Sequence, residues 1–136
     1  MTRPRHRPLL VAVATLVAAG LLGACGGDEE ASGPPPDCTR IEDGAVTLVA
    51  ENLQWDADCL RVPQGTEVTF TVDNRDQGVQ HNLDVAGPSG EEGTELEAGP
   101  VTQTLVYDAT EAGRHPYVCE IHPAMEGDLW VTPAAG

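Results

Sequence analysis

Apolar and polar residues alternate along much of the chain after residue 44, with the two-residue period of half-buried β-strands. In segment 67–72 the apolar residues Val68, Phe70 and Val72 take every second position, and segment 101–107 repeats this pattern. Shorter candidate strands, separated by Gly, Pro, Asn and Asp, lie at 45–50, 59–62, 81–85, 117–119 and 128–132. The pattern predicts an all-β domain, a Greek-key β-sandwich of about seven to eight strands in two antiparallel sheets, and an immunoglobulin-like sandwich and other Greek-key sandwiches fit this periodicity equally.

The segments between these strands are predicted to be turns and loops. Residues 73–76 form a predicted turn, and residues 87–100 form a long acidic loop. Trp55 and Trp130 are expected in the core, and His115 is interpreted as a surface or strand histidine.

The first 37 residues do not resemble a folded domain. Three arginines precede an apolar run at 9–22, which is too short to span a bilayer comfortably and ends in Leu22-Gly23-Ala24-Cys25. This ending resembles the lipobox of bacterial lipoproteins, in which the cysteine is lipidated; an uncleaved anchor helix is the alternative. We therefore predict a signal peptide at 1–24, an acidic, Pro- and Gly-rich tether at 25–37, and one domain at 38–136.

Charge restricts the class of partner. After Cys25 the chain keeps four arginines, no lysine and all 22 acidic residues, for a net charge of −18. Nucleic acid is not expected as a partner, because phosphate contacts need basic patches. A basic protein partner is expected, although the charge can also serve only solubility.

The cysteines leave one thiol without an expected partner. With Cys25 assigned to lipid, Cys38 and Cys59 are expected to form a disulfide, which export permits. Cys119 then remains single, and His122 follows it by three residues and Met125 by six.

The spacing of these three residues favours a loop between two strands. In a strand, residues three apart face opposite sides, and in a helix, Cys119 and Met125 lie far apart around the axis. Pro123 also disfavours a helical backbone at His122. A curled loop can aim all three side chains at one point.

The donor types favour copper. A thiolate, an imidazole and a thioether form a soft set, and zinc would gain little from the thioether. His81, on a separate predicted strand, can supply a second imidazole. Taken singly, Cys119 and Met125 can be core residues, and His81 can be a hydrogen-bonded strand histidine. Taken together with His122, they indicate one copper ion per chain.

At these residues the domain resembles the cupredoxins, the type 1 blue copper proteins, and among them the plastocyanin and amicyanin type. The short Cys119-x-x-His122-x-x-Met125 loop, with Pro123 after the histidine, matches the family's ligand loop. His81-Asn82 resembles its first ligand followed by a structural asparagine, although Asn82 can also be a plain turn residue. Glu120 departs from the small hydroxyl residue that many members carry.

The resemblance implies one-electron transfer by a mononuclear copper site and no enzymatic activity. Asn82 and Pro123 would support the ligands. A copper carrier or storage protein that delivers copper to a cuproenzyme is the alternative, and a multicopper enzyme would need more histidines than the three after Cys25. We expect an exported monomer, lipid-anchored on the outer face of the cytoplasmic membrane or in the periplasm. Its redox partner is expected to be a basic cytochrome or cuproenzyme.

Overall fold

The computed structural model describes residues 33–135, and these residues form β-strands and turns. The predicted signal peptide, Cys25 and most of the tether lie outside the described residues. Within the described residues, no helix is long and apolar enough to cross a membrane. The strands are β1 (Thr39–Arg40), β2 (Ala45–Glu51), β3 (Gln54–Trp55), β4 (Cys59–Pro63), β5 (Thr66–Asn74), β6 (Gln80–His81), β7 (Asp84–Gly87), β8 (Gly90–Gly93), β9 (Glu97–Ala98), β10 (Val101–Ala109), β11 (Gly113–Cys119) and β12 (His122–Thr132).

The strands form a sandwich of two main sheets, which confirms the predicted all-β fold class. One sheet has the order β1-β4-β12-β11-β7-β8 and the other β10-β5-β2-β3, while β6 and β9 form a small separate pair. There are twelve strands rather than seven or eight, because four of them (β1, β3, β6 and β9) have only two residues. The short strands lack the repeated alternation that makes a strand visible in a sequence.

The sheets are mixed, and the prediction of two antiparallel sheets is wrong. Strand β2 pairs in parallel with β5, and β4 pairs in parallel with both β1 and β12. The chain crosses between the sheets after β3 and again after β4, so neighbours within a sheet come from distant parts of the sequence. Hairpin connections force antiparallel pairing, but crossovers of this kind permit parallel pairing.

The predicted alternation places the core correctly. Val68, Phe70 and Val72 are buried along β5, and Leu105 and Tyr107 lie beside Phe70 and Val68 on the neighbouring strand β10. Each fully buried aliphatic or aromatic side chain of this kind contributes roughly 1.5–3 kcal/mol relative to exposure. The main cluster contains Ile41, Leu48, Leu60, Val62, Val68, Phe70, Val72, Leu83, Val85, Leu105, Tyr107, Ala109, Tyr117, Leu129 and Val131.

The two tryptophans differ in how they pack. Trp55 is half-buried and packs against the core, as predicted, whereas Trp130 is half-buried and lies outside the core cluster. His115 is a residue of strand β11, which confirms the strand interpretation; it is buried, and its Nδ1 lies 2.6 Å from the Tyr107 hydroxyl.

The segment 81–100 contains more structure than a strand followed by a loop. The predicted strand 81–85 is interrupted at Asn82 and Leu83, and the predicted acidic loop contains β8 and β9. β8 pairs with β7, and β9 pairs with β6. The interruption leaves the Asn82 side chain available to a neighbouring segment.

The predicted disulfide between Cys38 and Cys59 is present. It joins the residue before β1 to the first residue of β4, at the edge where these strands pair in parallel. The covalent bond therefore ties the start of the described domain to its larger sheet.

Candidate metal centre

Three nitrogen and sulfur donors converge at one end of the sandwich. Nδ1 of His81 lies 3.0 Å from Nδ1 of His122, and the two nitrogens lie 3.8 Å and 3.5 Å from the Cys119 Sγ atom. A point equidistant from the three atoms lies about 2.0 Å from each, near the lengths of metal–nitrogen and metal–thiolate bonds, about 2.0 and 2.3 Å. The three side chains can therefore hold one metal ion between them, as their grouping also indicates.

A tight hairpin with a bulge brings Cys119 and His122 together. Cys119 ends β11 and His122 begins β12, so only two residues separate the strands. Cys119 pairs with His122, whereas the adjacent Val118 pairs with Glu126, which leaves residues 123–125 as extra residues in β12. The predicted loop is thus a two-residue turn followed by a bulge within a strand, and bulges of this kind redirect side chains.

Close packing immediately behind the bulge fixes the hairpin. Gly127 pairs with Tyr117, and its missing side chain makes room for the Tyr117 ring. The Tyr117 hydroxyl donates a hydrogen bond of 2.7 Å to the carbonyl of Ala57. Burial raises the pKa of Tyr117, with Asp58 and Asp128 adding to the effect, so this phenol stays neutral and keeps its proton for that bond.

Met125 lies in the bulge and points into the interior. It is 1% exposed and packs with Cys119 and Ala50 in a small cluster, against which Trp55 also packs. The indole Nε1 of Trp55 donates a hydrogen bond of 3.1 Å to the Met125 carbonyl. The thioether-bearing residue is thus held beside the thiol by both its side chain and its backbone.

His81 is oriented by Asp76, a residue that the sequence analysis missed. Its Nε2 lies 2.9 Å from Oδ2 of Asp76, while Nδ1 faces the other donors. The same carboxylate accepts hydrogen bonds from the backbone amides of Asn52 and Leu53. The Leu53 amide is the main cause of a lowered pKa for Asp76, and His81 and the Asn52 amide contribute, so the carboxylate is anionic at neutral pH.

Nothing in the local sequence identifies Asp76, because its amide donors come from a hairpin more than twenty residues earlier. The buried Asn74 shapes the segment that contains Asp76. The Asn74 side chain donates to the carbonyls of Val79 and Glu97 and accepts from the Asp76 amide, at 2.9, 3.0 and 3.0 Å. The predicted turn at 73–76 accordingly starts later than expected, because β5 continues through Asn74.

Asn82 connects the segment carrying His81 with the segment carrying Cys119. Its Oδ1 accepts a hydrogen bond of 3.0 Å from the Glu120 amide, and its Nδ2 donates to Asp84 at 2.9 Å. A longer bond of 3.3 Å runs from Nδ2 to the Glu120 carboxylate. Glu120, the departure from the family pattern, therefore joins this hydrogen-bond network.

The His122 side of the centre faces outward. His122 is half-buried, and Ile121, Pro123 and Ala124 around it are exposed. Pro123, expected to support the ligands, lies on this exposed rim and begins the bulge. The centre thus has a buried side, formed by His81 and Met125, and an accessible apolar edge.

The donor chemistry fits copper. Within residues 33–135, Cys119 is the one cysteine outside a disulfide, and it is buried, so a thiolate there requires a positive partner. A histidine whose Nε2 is bonded to a carboxylate presents Nδ1 as a well-oriented ligand. Two imidazoles and a thiolate in a plane, with a buried thioether nearby, match a type 1 copper site better than a zinc site.

Comparisons with known proteins agree with this geometry. A family model described as a cupredoxin-like domain matches residues 14–131, whereas a search of curated proteins finds no match. Among solved structures, reduced auracyanin from Roseiflexus castenholzii is 21% identical, with a TM-score of 0.61, covering 68% of this chain and all of that one.

Two further structures show the same likeness. Auracyanin A from Chloroflexus aurantiacus, described as a "blue" copper protein, is 22% identical with a TM-score of 0.58, covering 68% of this chain and 99% of its own. The reduced Cu(I) form of an amicyanin point mutant is 26% identical with a TM-score of 0.51, covering 67% and 85%. The family model spans most of the chain and includes all four candidate ligands, so this chain belongs to the cupredoxin-like family.

Proposed function

We propose that this protein is a one-electron carrier with a single copper ion bound by His81, Cys119, His122 and Met125. The convergence of the two Nδ1 atoms and the Cys119 Sγ atom around one point carries this proposal. The likeness to blue copper proteins supports it. The bound copper would supply the chemistry by cycling between Cu(I) and Cu(II).

The protein's own contribution is a ligand geometry that changes little with oxidation state. His81 is held through Asp76, and Asn82 fixes the backbone that follows Cys119. A preorganised site lowers the reorganisation that accompanies electron transfer, because the ligands need not move when the charge changes. We assign electron transfer as the function and no catalytic residue.

The apolar edge around His122 supports a route for the electron. The half-buried imidazole lies among the exposed apolar residues Ile121, Pro123 and Ala124, so a partner protein can approach the ligand closely through an apolar contact. One electron would pass from a reduced partner to the oxidised site, or from the reduced site to an oxidised partner.

A visible absorption spectrum of the oxidised protein, combined with a copper count, tests the proposal. We expect one copper per chain and an intense blue absorption from thiolate-to-copper charge transfer. Cys119→Ser should abolish the colour, whereas Met125→Gln should keep copper and change the spectrum and the potential, because a thioether ligand would tune both. A colourless wild-type protein with one bound Cu(II) would refute the blue-copper assignment.

A copper carrier is the second candidate, and the partial exposure of His122 favours it, since an accessible ligand eases metal transfer. The two functions differ in what leaves the protein. Incubation of the copper-loaded protein with a cuproenzyme lacking copper should leave copper in place if the protein is an electron carrier, while electron exchange with a cytochrome proceeds within seconds. Fast copper transfer with slow electron exchange would favour the carrier.

We further propose that the protein works outside the cytoplasm, anchored through a lipid on Cys25, with 25–37 as the tether. The predicted export signal, the lipobox resemblance and the disulfide support this location. Cys25→Ser should block lipid-linked processing and shift the protein away from the membrane fraction. Wild-type protein found wholly in the soluble fraction would contradict the anchor.

We propose that a monomer exchanges electrons with a basic protein, a cytochrome or a cuproenzyme. The net charge of −18 after Cys25 supports such a partner through long-range attraction.

A further inference from the structure

The β2–β3 hairpin belongs to the smaller sheet but reaches the metal centre from two directions. Its turn residues Asn52 and Leu53 both have positive φ angles, 57° and 58°, a conformation that matches the twist of a tight hairpin and that leucine rarely adopts. Their amides bind the Asp76 carboxylate, which orients His81. The turn of the hairpin thus acts on one ligand indirectly, through Asp76.

The second contact runs through Trp55 in β3. Trp55 pairs with Ala50 of β2, so its backbone position is fixed by the hairpin. Its indole N–H donates to the carbonyl of Met125, 70 residues later in the chain, and its ring packs against the Cys119 and Met125 cluster.

Met125 needs such a contact because of where it lies. Residues 123–125 are the extra residues of the β12 bulge. They lie between His122, which pairs with Cys119, and Glu126, which pairs with Val118, so they have no partner on β11. A bulge leaves its extra residues outside the regular ladder, so the ladder alone does not determine how far Met125 projects inward. A hydrogen bond from the opposite sheet restricts this freedom directly.

We propose that Trp55 is a positioning residue for the Met125 thioether: its indole N–H holds the Met125 backbone and thereby sets the approach of the thioether to the metal. This inference rests on the proposed copper function. A thioether favours Cu(II) over Cu(I) by donating to the more charged ion, so a looser thioether raises the reduction potential. His81 is held by Asp76, and His122 pairs with Cys119 at the start of the hairpin, so these three donors keep their positions and copper itself remains bound.

Trp55→Phe tests this role, and Trp130→Phe is its matched control. Trp130 is the other tryptophan, also half-buried, and its Nε1 is buried without a hydrogen-bond partner. We expect Trp55→Phe to keep one copper per chain, raise the potential and change the ratio of the two thiolate-to-copper bands. Trp130→Phe should leave both readouts at their wild-type values.

A tryptophan analogue separates the N–H group from the bulk of the ring. The chain has two tryptophans, so a Trp130→Phe background leaves Trp55 as the only one. Growth with benzothienylalanine, which has sulfur in place of the indole N–H, then removes the donor while retaining the bicyclic shape. The shifts should match those of Trp55→Phe, and this analogue decides the question if Trp55→Phe does not fold.

The outcomes distinguish this inference from the proposed function. A blue wild-type protein whose potential and spectrum are unchanged by the analogue would overturn the inference alone. A wild-type protein that binds no copper would overturn the proposed function and this inference with it.

A hydrogen-exchange measurement tests the same contact in the metal-free protein. The Trp55 indole N–H should exchange with solvent more slowly in the wild type than in Met125→Gly, in which the bulge is more flexible. Equal exchange would contradict the link between this hydrogen bond and the Met125 backbone.

Discussion

His81 Nε2 and Asp76 Oδ2 lie 2.9 Å apart, so a carboxylate just beyond β5 fixes the imidazole of the buried candidate ligand. The carboxylate is itself held by two backbone amides from the β2–β3 turn. The orientation of one ligand therefore depends on a residue in the connection between β5 and β6 and on the β2–β3 hairpin of the smaller main sheet.

Removal of the Asp76 carboxylate should weaken copper binding. Asp76→Ala frees the His81 ring and leaves the Asn52 and Leu53 amides without their acceptor, and loss of such a supporting group costs about 10- to 100-fold in metal affinity. Titration against a chelator of known affinity measures the change. Asp73→Ala is the control, because Asp73 pairs with Arg75 on the surface instead of with a ligand; equal affinity in both variants would contradict the role of Asp76.

The disulfide should stabilise the domain measurably. The bond closes a loop with a sequence separation of 21, for which the chain-entropy model gives about 3 kcal/mol. Urea unfolding of Cys38→Ser/Cys59→Ser should show this loss, with the copper spectrum retained because neither cysteine belongs to the donor set. Unchanged stability would mean that the disulfide does not constrain the unfolded chain.

The buried Tyr107–His115 pair should make stability depend on alkaline pH. Burial raises the pKa of Tyr107, and Glu92 and Glu111 add to the effect, so the folded protein holds this proton more tightly than the unfolded chain. The contribution is complete below about pH 10, the unfolded tyrosine value, and is lost as the pH rises through the folded pKa.

Tyr107→Phe should therefore change the pH profile in two ways. At pH 7 the variant should be less stable by about 1–3 kcal/mol, because His115 Nδ1 loses its buried partner. Above about pH 10 its free energy of unfolding should fall less steeply than that of the wild type. Parallel profiles from about pH 7 to about pH 11, a range that spans the tyrosine value, would show that Tyr107 does not ionise differentially.

Electron exchange should respond to salt in a direction set by the partner's charge. With −18 on the chain after Cys25, the rate with a basic cytochrome should fall by about tenfold or more between low and high ionic strength. An anionic small-molecule oxidant is the control, and its rate should rise with salt. Rates that do not vary with salt for both reagents would indicate contact through the apolar edge without electrostatic steering.

The sequence determined the features that depend on local spacing. The alternation of Val68, Phe70 and Val72 fixed the buried face of β5, since side chains in a strand alternate by geometry. The Cys119, His122 and Met125 spacing required a reversal of the chain between two strands, and the hairpin supplies it. The Cys38–Cys59 pairing was predicted from the nearness of the two cysteines in the chain, with Cys25 assigned to lipid through the lipobox resemblance.

The tertiary structure alone decided the contacts that depend on segments distant in the sequence. Asp76 reaches His81 because Asn74 and a distant turn shape its segment, and Trp55 reaches Met125 across 70 residues. The parallel pairing of β4 with β12 and of β2 with β5 likewise has no local signature. Spacing along a chain limits which neighbours can meet, but contacts between distant segments depend on which strands pair and in which direction, and the free energy of packing the whole domain determines that choice.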